Sequence, residues 1–244
     1  NTTLSNTGTI ASLTNSGTIT TLNNENAITS LTNSGDMTTL DNSGSISTIR
    51  NNGSINTFTN SETTDLLTNL GSIDTFSNSG TINRLINSST INNGIANTGT
   101  ISSFTNLRTV NNGISNTGTI TSLTNLSTLD NIYNDGTINT LNNLESDLTF
   151  SQTLPENYNV IFRNQAENYG KLFVTSASGS TEVNIASISN VKTGIYNNII
   201  TGVSSEKIIS KTGTIIGNRS SSVGSVSWRL VESSSGSGIW NLDV

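Results

Sequence analysis

Apolar residues in the first 143 positions fall at fixed intervals. One column runs Ile10, Ile19, Ile28, Met37, Ile46, Ile55, Thr64, Ile73, Ile82, Ile91, Ile101, Val110, Ile120, Leu129 and Ile138. The step is nine residues, with two steps of ten. Three residues after most of these comes a second apolar position, as at Leu13, Leu22, Leu31, Leu40, Ile49, Phe58, Leu67, Phe76, Leu85, Phe104, Leu123, Ile132 and Leu141. Where the step is ten, the partner comes one residue later, at Ile95 and Ile114, each within "NNGI". The most regular column is polar: Asn6, Asn15, Asn24, Asn33, Asn42, Asn51, Asn60, Asn69, Asn78, Asn87, Asn97, Asn106, Asn116, Asn125, Asn134 and Asn143. The unit is Asn-Ser/Thr-Gly-Thr/Ser-Ile-x-Thr/Ser-Leu-x.

Alternation with period two across "LTNSGTI" (13–19) predicts a short strand. In that reading Leu13, Asn15, Gly17 and Ile19 point inward and Thr14, Ser16 and Thr18 outward. Ile19 and Leu22 are both apolar yet of opposite parity, which predicts a corner near residues 20 and 21. Nine is no multiple of 3.6, and Gly, Thr, Asn and Ser are weak helix formers, so a helix is a poor reading. Sparse, evenly spaced hydrophobes predict a thin core extended along one axis by repetition. The later repeats point to two units per turn. "SSTINNGIAN" and "LRTVNNGISN" resemble each other 19 residues apart, "LSTLDNIYN" continues that series, and a different unit type lies between them. Eight such turns at ~4.8 Å per coil rise roughly 38 Å. A triangular coil of three units stays open, because the first half alternates little. The fold expectation is all-β: a right-handed parallel β-helix, or solenoid, of nine-residue half-turn units.

Near residue 144 the nine-residue beat stops, and Phe150, Pro155, Tyr158, Phe162, Tyr169, Phe173, Trp228 and Trp240 appear. "KLFVTSASGSTEVNIASIS" and "GSVSWRLVESSSGSGIWNLDV" read as hairpins with Gly/Ser turns. Two regions follow from this: a nine-residue-repeat solenoid at 1–143 and a C-terminal β region at 144–244 that caps it. Trp228 and Trp240 alternate with apolar residues, which suits core burial.

Composition sharpens this picture. The chain is 31% hydrophobic and 11% charged, with net charge −6, one Pro, no Cys and no His. Low hydrophobicity with high net charge would indicate disorder; here net charge is small and spacing strict. Absent cysteine excludes disulfides and thiolate metal sites. Triads built on His or Cys are excluded with their residues. Residues 1–143 hold three basic and eight acidic residues, a balance unsuited to nucleic acid. No apolar run is long enough for a transmembrane segment, and no basic-then-apolar leader is present. The chain begins inside the repeat, which reads as a piece of a longer, processed protein with an open strand edge at its first coil.

A buried amide without partners costs ~1–3 kcal/mol, so an inward Asn in every unit predicts a structural Asn ladder whose members satisfy one another. The unit is similar to the calcium-binding nonapeptide repeat, but the ligating Asp is missing from nearly every one. Asp36, Asp41, Glu62 and Asp65 are isolated acids, read as solvated, and no metal, cofactor or catalytic residue is assigned. The cations Arg50, Arg84 and Arg108 sit at three different unit positions and form no column. Outward Thr residues supply the candidate contact face: Thr9, Thr14, Thr18, Thr32, Thr81, Thr100 and Thr119. The residue after the Ile column varies too much to keep a two-column Thr array of the ice-ordering kind.

The stretch "ENYGKLFVTSASGSTEVNIASISNVKTGIYNNIITGVSSEKI", followed by "GSVSWRLVESSSGSGIWNLDV", resembles the end of passenger domains in bacterial type V autotransporters. The repeats are similar to those of large right-handed β-helix passengers, including the VacA-like group and self-associating adhesins. That resemblance implies export across an outer membrane, an extracellular or cell-surface location and an autochaperone-like C-terminal segment. The function expected is a non-enzymatic structural or adhesive stalk. Its expected partners are copies of itself, joined head-to-tail or laterally into aggregates, biofilm or filaments, and cell-surface or matrix components. A polysaccharide-acting β-helix enzyme and an ice- or ligand-binding solenoid are the alternatives.

Overall fold

The computed structural model describes residues 2–163, 168–219 and 222–244. Asn1, and Glu167 at the head of the tail segment quoted above, lie outside them. The fold is an all-β parallel solenoid of right-handed type, built as two compact units, Asn1–Thr137 and Ile138–Val244.

In the first unit the coil has two strands, so two nine-residue units make one turn and the three-unit coil is excluded. Thr18–Asn24, Asp36–Asn42, Ser54–Asn60 and Ser72–Asn78 follow one another along one sheet, here sheet 1. Ala27–Asn33, Ser45–Asn51, Thr63–Asn69, Thr81–Asn87, Thr100–Asn106 and Thr119–Asn125 follow one another along sheet 2. Neighbours in each sheet are parallel and 18 residues apart, as in Leu22↔Leu40 and Leu31↔Ile49. Where a ten-residue step intervenes the offset becomes 19, as in Ile82↔Ile101 and Ile95↔Ile114. The two "NNG" insertions stack on each other as the alternation of unit types predicts, through Thr90↔Thr109 and Ile91↔Val110.

Both apolar columns are buried between the sheets, from Ile28 and Leu31 through Phe104 and Leu123. Phe58 and Phe76 meet edge to face on adjacent coils at 5.0 Å between ring centroids. Thr64, the polar member of the Ile column, is fully buried. Its hydroxyl donates to Asn60 Oδ1 at 2.9 Å, so the exception is satisfied rather than orphaned.

The corner is not where parity placed it. Thr18–Asn24 is one continuous strand, and the bend falls at Ser16–Gly17 and its equivalents. The inward-to-inward switch from Ile19 to Leu22 happens inside the strand. Ladder pairs run Thr18↔Asp36 and Ile19↔Met37, then Thr21↔Thr39, passing over Thr20 and Thr38 together. Both strands skip the same position, so parity flips while register is kept.

Nor is the unit's glycine inward. Gly17 is exposed and Gly35 and Gly53 are half-exposed at the corner. A Cβ on Gly53 would stand 2.0 Å from the Gly35 carbonyl oxygen of the preceding coil. The corner amides still bond to that coil, as Ser34 N does to Asn15 O at 2.8 Å and Asp36 N to Gly17 O at 2.8 Å. Backbone polar groups are thus satisfied at the bends as well as along the strands. Asn26, Glu62, Ser89 and Arg108 are among the residues that put a side chain in the glycine slot. There the bond from the following amide to the coil below lengthens to 3.2, 3.1, 3.4 and 3.1 Å, against 2.7–3.0 Å where glycine is present.

In the second unit Asn157–Val160 pairs in parallel with Glu182–Ile185, and Leu148–Thr153 with Leu172–Ser178. The predicted hairpin around Gly179 is therefore corrected: Leu172–Ser178 and Glu182–Ile185 belong to different sheets, because the chain continues to wind. The second predicted hairpin forms. Ser222–Glu232 and Ile239–Asp243 are antiparallel, Thr212–Arg219 extends them, and Ile239–Asp243 lies antiparallel to Ile195–Thr201. Trp228 and Trp240 are buried, and Trp240 Nε1 donates to Val203 O at 2.7 Å. Phe162, Tyr169 and Tyr196 form an aromatic cluster with centroids 4.6–5.7 Å apart. Among the described residues no helix is long and apolar enough to cross a membrane.

Candidate functional site

The Asn columns are buried at the strand ends of both sheets. In the first unit they resolve into two ladders, one per sheet. Asn6, Asn24, Asn42, Asn60, Asn78, Asn97, Asn116 and Asn134 stack along sheet 1, each Nδ2 donating to the next Oδ1 at 2.7–2.8 Å. Asn15, Asn33, Asn51, Asn69, Asn87, Asn106 and Asn125 stack along sheet 2 at 2.7–3.0 Å. The second amide hydrogen also reaches backbone, as Asn51 Nδ2 does Ser72 O at 2.9 Å. In the second unit Asn143 Nδ2 donates to Glu145 O and Lys171 O at 2.9 and 3.0 Å. These sixteen side chains are at most 5% exposed. Each sits at the strand end beside the bend, and its hydrogen bonds run both along the axis and to the backbone of the bend, as at Asn24.

The candidate contact residues lie in the outward columns. Thr81, Thr100 and Thr119 stack in register at the start of three successive sheet 2 strands. Thr9 begins an earlier strand of the same sheet, with Ala27 next above it. Thr14 and Thr32 pair in a different column of sheet 2. Thr18 lies on sheet 1 and pairs with Asp36, so the seven residues form no single face.

A more regular column went unnoticed in the sequence. Thr3, Thr21, Thr39, Thr57 and Thr75 stack in five successive coils of sheet 1. Its members come from every second unit, and the intervening ones carry Ser12, Ser30, Thr48, Leu66 and Arg84. The signal appears only once two units are assigned to each coil.

Charge is divided between the faces. Sheet 1 of the first unit presents Asp36, Asp41, Asp74 and Asp130, and its strands carry no Lys or Arg. Sheet 2 presents Arg50 and Arg84, both exposed, together with Asp65. Several acids are held by neutral neighbours: Ser54 Oγ donates to Asp36 at 2.6 Å, Asn83 Nδ2 to Asp65 at 2.8 Å and Asn92 Nδ2 to Asp74 at 2.5 Å. The one salt bridge among the described residues, Arg229–Asp243 at 2.8 Å, is in the second unit. Asp36, Asp41, Glu62 and Asp65 are not brought together. The first two share a strand, Glu62 is in a bend, and Asp65 is on sheet 2.

In the second unit the Ser204 hydroxyl donates to Glu206 and holds its carboxyl below the usual range. Burial pushes the Tyr158 phenol well above its ordinary value, with an opposing hydrogen bond from Asn143. Compared with protein-family models, with curated proteins and with solved structures, the chain matches none of them.

Proposed function

We propose that the chain is a non-enzymatic structural or adhesive element, extracellular or displayed on a bacterial surface, acting as a rigid β-helical stalk. The observation that carries this reading is the in-register Thr column, Thr3 to Thr75, on a face whose other outward residues are Thr, Ser, Asn and Asp. Hydroxyls repeat along it at the coil spacing of ~4.8 Å, a regular lattice suited to another solenoid or to a polymer surface. The buried Asn ladders suit the mechanical side of the reading, since each coil is tied to the next through side chains as well as backbone.

The passenger-domain resemblance of the tail is the ground for proposing export and surface display. The test is to coat inert beads with the purified protein and measure bead–bead aggregation, and retention on matrix and glycan surfaces, against albumin-coated beads. Aggregation or retention well above that control is expected. Beads that stay dispersed and unretained, bearing folded protein, refute the reading.

A further inference from the structure

We infer that sheet 1 of the first unit is a docking surface for sheet 2 of a second copy of this chain, the two solenoids lying side by side with parallel axes. This rests on the self-association part of the proposed function and assigns its geometry. Charge is separated, with Asp36, Asp41, Asp74 and Asp130 on one face and Arg50 and Arg84, together with Asp65, on the other. Like faces brought together oppose like charges. Unlike faces are complementary, which favours translation over a two-fold dimer.

The spacing of the charges selects the register. Asp36 is in line with Ser54 and Ser72 on the next two coils, and Asp74 lies two residues beyond Ser72. The step from Asp36 to Asp74 is therefore two coils up and two residues forward, about 9.6 Å by about 6.6 Å. Arg50 is in line with Thr68 and Ile86, and Arg84 lies two residues before Ile86. That step is two coils up and two residues back. A coil runs out along one sheet and returns along the other, so back on sheet 2 is the same direction in space as forward on sheet 1. The two steps coincide.

The origin coincides as well. Asp36 and Arg50 stand on consecutive strands of one coil, Asp36–Asn42 and Ser45–Asn51, at the same edge of the solenoid. Asp74 and Arg84 are related in the same way on Ser72–Asn78 and Thr81–Asn87. Displacing a copy perpendicular to the sheets by the solenoid thickness brings Asp36 opposite the partner's Arg50 and Asp74 opposite the partner's Arg84. The residual offset is about half a coil along the axis and about one residue across it, within reach of an arginine side chain. In this stacking Asp41 meets Ser45 and Asp65 meets Thr57, so no acids are opposed. Because the two contact surfaces differ, the association is open and adds copies laterally.

The test uses two folded variants in sedimentation velocity at low salt, with circular dichroism to verify folding. Arg50→Glu/Arg84→Glu makes the paired positions of both faces acidic, and Asp36→Lys/Asp74→Lys makes the paired positions of both faces basic. Each alone is expected to self-associate at least about tenfold more weakly than the unaltered chain. An equimolar mixture should regain association, because each variant then finds its complement, and added salt should weaken the native assembly. If the unaltered chain assembles and either variant assembles equally well, or the mixture fails to recover, the docking assignment is overturned while self-association stands. A native chain that stays monomeric overturns both.

Discussion

Asn51 gives the most direct test of the claim that the Asn columns are structural. It is fully buried, accepts from Asn33 Nδ2 at 2.9 Å and donates to Asn69 Oδ1 at 2.9 Å and Ser72 O at 2.9 Å. Asn51→Ala strands one Asn33 amide hydrogen and the Asn69 carbonyl oxygen in the interior. At ~1–3 kcal/mol for each unsatisfied buried group, the loss is about 4 kcal/mol. Asn51→Asp keeps the shape but not the donor. An ionised carboxylate would face Asn69 Oδ1, acceptor against acceptor, in a dry site, so the folded state raises the acid's pKa.

The sign of the pH dependence follows from that. In the Asn51→Asp variant a protonated carboxyl could donate to Asn69 Oδ1, so the variant is nearest to native stability below the unfolded-state value of about 3.9. As pH rises above it the unfolded chain ionises first, and stability falls by about 1.4 kcal/mol per pH unit until the raised folded-state pKa is reached. Urea unfolding followed by far-ultraviolet circular dichroism at several pH values reads both effects. Hydrogen exchange locates the damage, which should stay on the coils next to Asn51 because a solenoid couples only neighbours. An Ala variant within about 1 kcal/mol of native, or an Asp variant whose stability does not change with pH, refutes the ladder argument.

Phe58 fills its coil against Phe76. Phe58→Ala should cost about 4 kcal/mol and Phe58→Leu under about 1.5 kcal/mol in the same urea assay. Gly53→Ala should cost about 1 kcal/mol despite the 2.0 Å approach to the Gly35 oxygen, because the corner can yield by stretching one hydrogen bond, as it does at Glu62 and Ser89. A loss above about 3 kcal/mol would show the corner to be rigid. Tyr158 is fully buried with its phenol pKa pushed up by burial, and its hydroxyl donates to Ile199 O at 3.3 Å. Its neutral form is favoured on folding, so stability should fall as pH rises through the unfolded-state value near 10. Tyr158→Phe should stay within about 1.5 kcal/mol of native at neutral pH and outlast it in alkali. Alkaline melts followed by tyrosinate absorbance check this.

What could be read in the sequence was whatever repeats along the axis. The Asn, Ile and Leu columns are each fixed by burial against the same residue one coil away, so their spacing is the fold. The two ten-residue steps pointed to two units per coil, since each inserted residue stacks on the other. The bend was misplaced because side-chain parity reports where a strand's faces exchange, not where the chain turns. Here the exchange occurs at Thr20, inside a continuous strand, where both neighbours skip a pair. Glycine was misread for a related reason. It is selected by the carbonyl of the coil below, a contact 18 residues away that alternation does not register.

The outward faces were the least legible part, and the reason is geometric. Each outward column draws on every second unit, so alignment on the nine-residue repeat mixes two faces that point in opposite directions. Arg50 and Arg84 occupy different unit positions and look unrelated in that alignment. On the folded sheet they are joined by a diagonal step that the acids on the other face repeat. Inward positions have one solution each, dictated by volume and hydrogen bonding, and leave little room for a sequence to encode partners. Outward positions are free of both constraints. The recognition proposed for these faces therefore rests on displacements between coils, and a face becomes readable only once its residues are indexed by coil and strand position rather than by repeat.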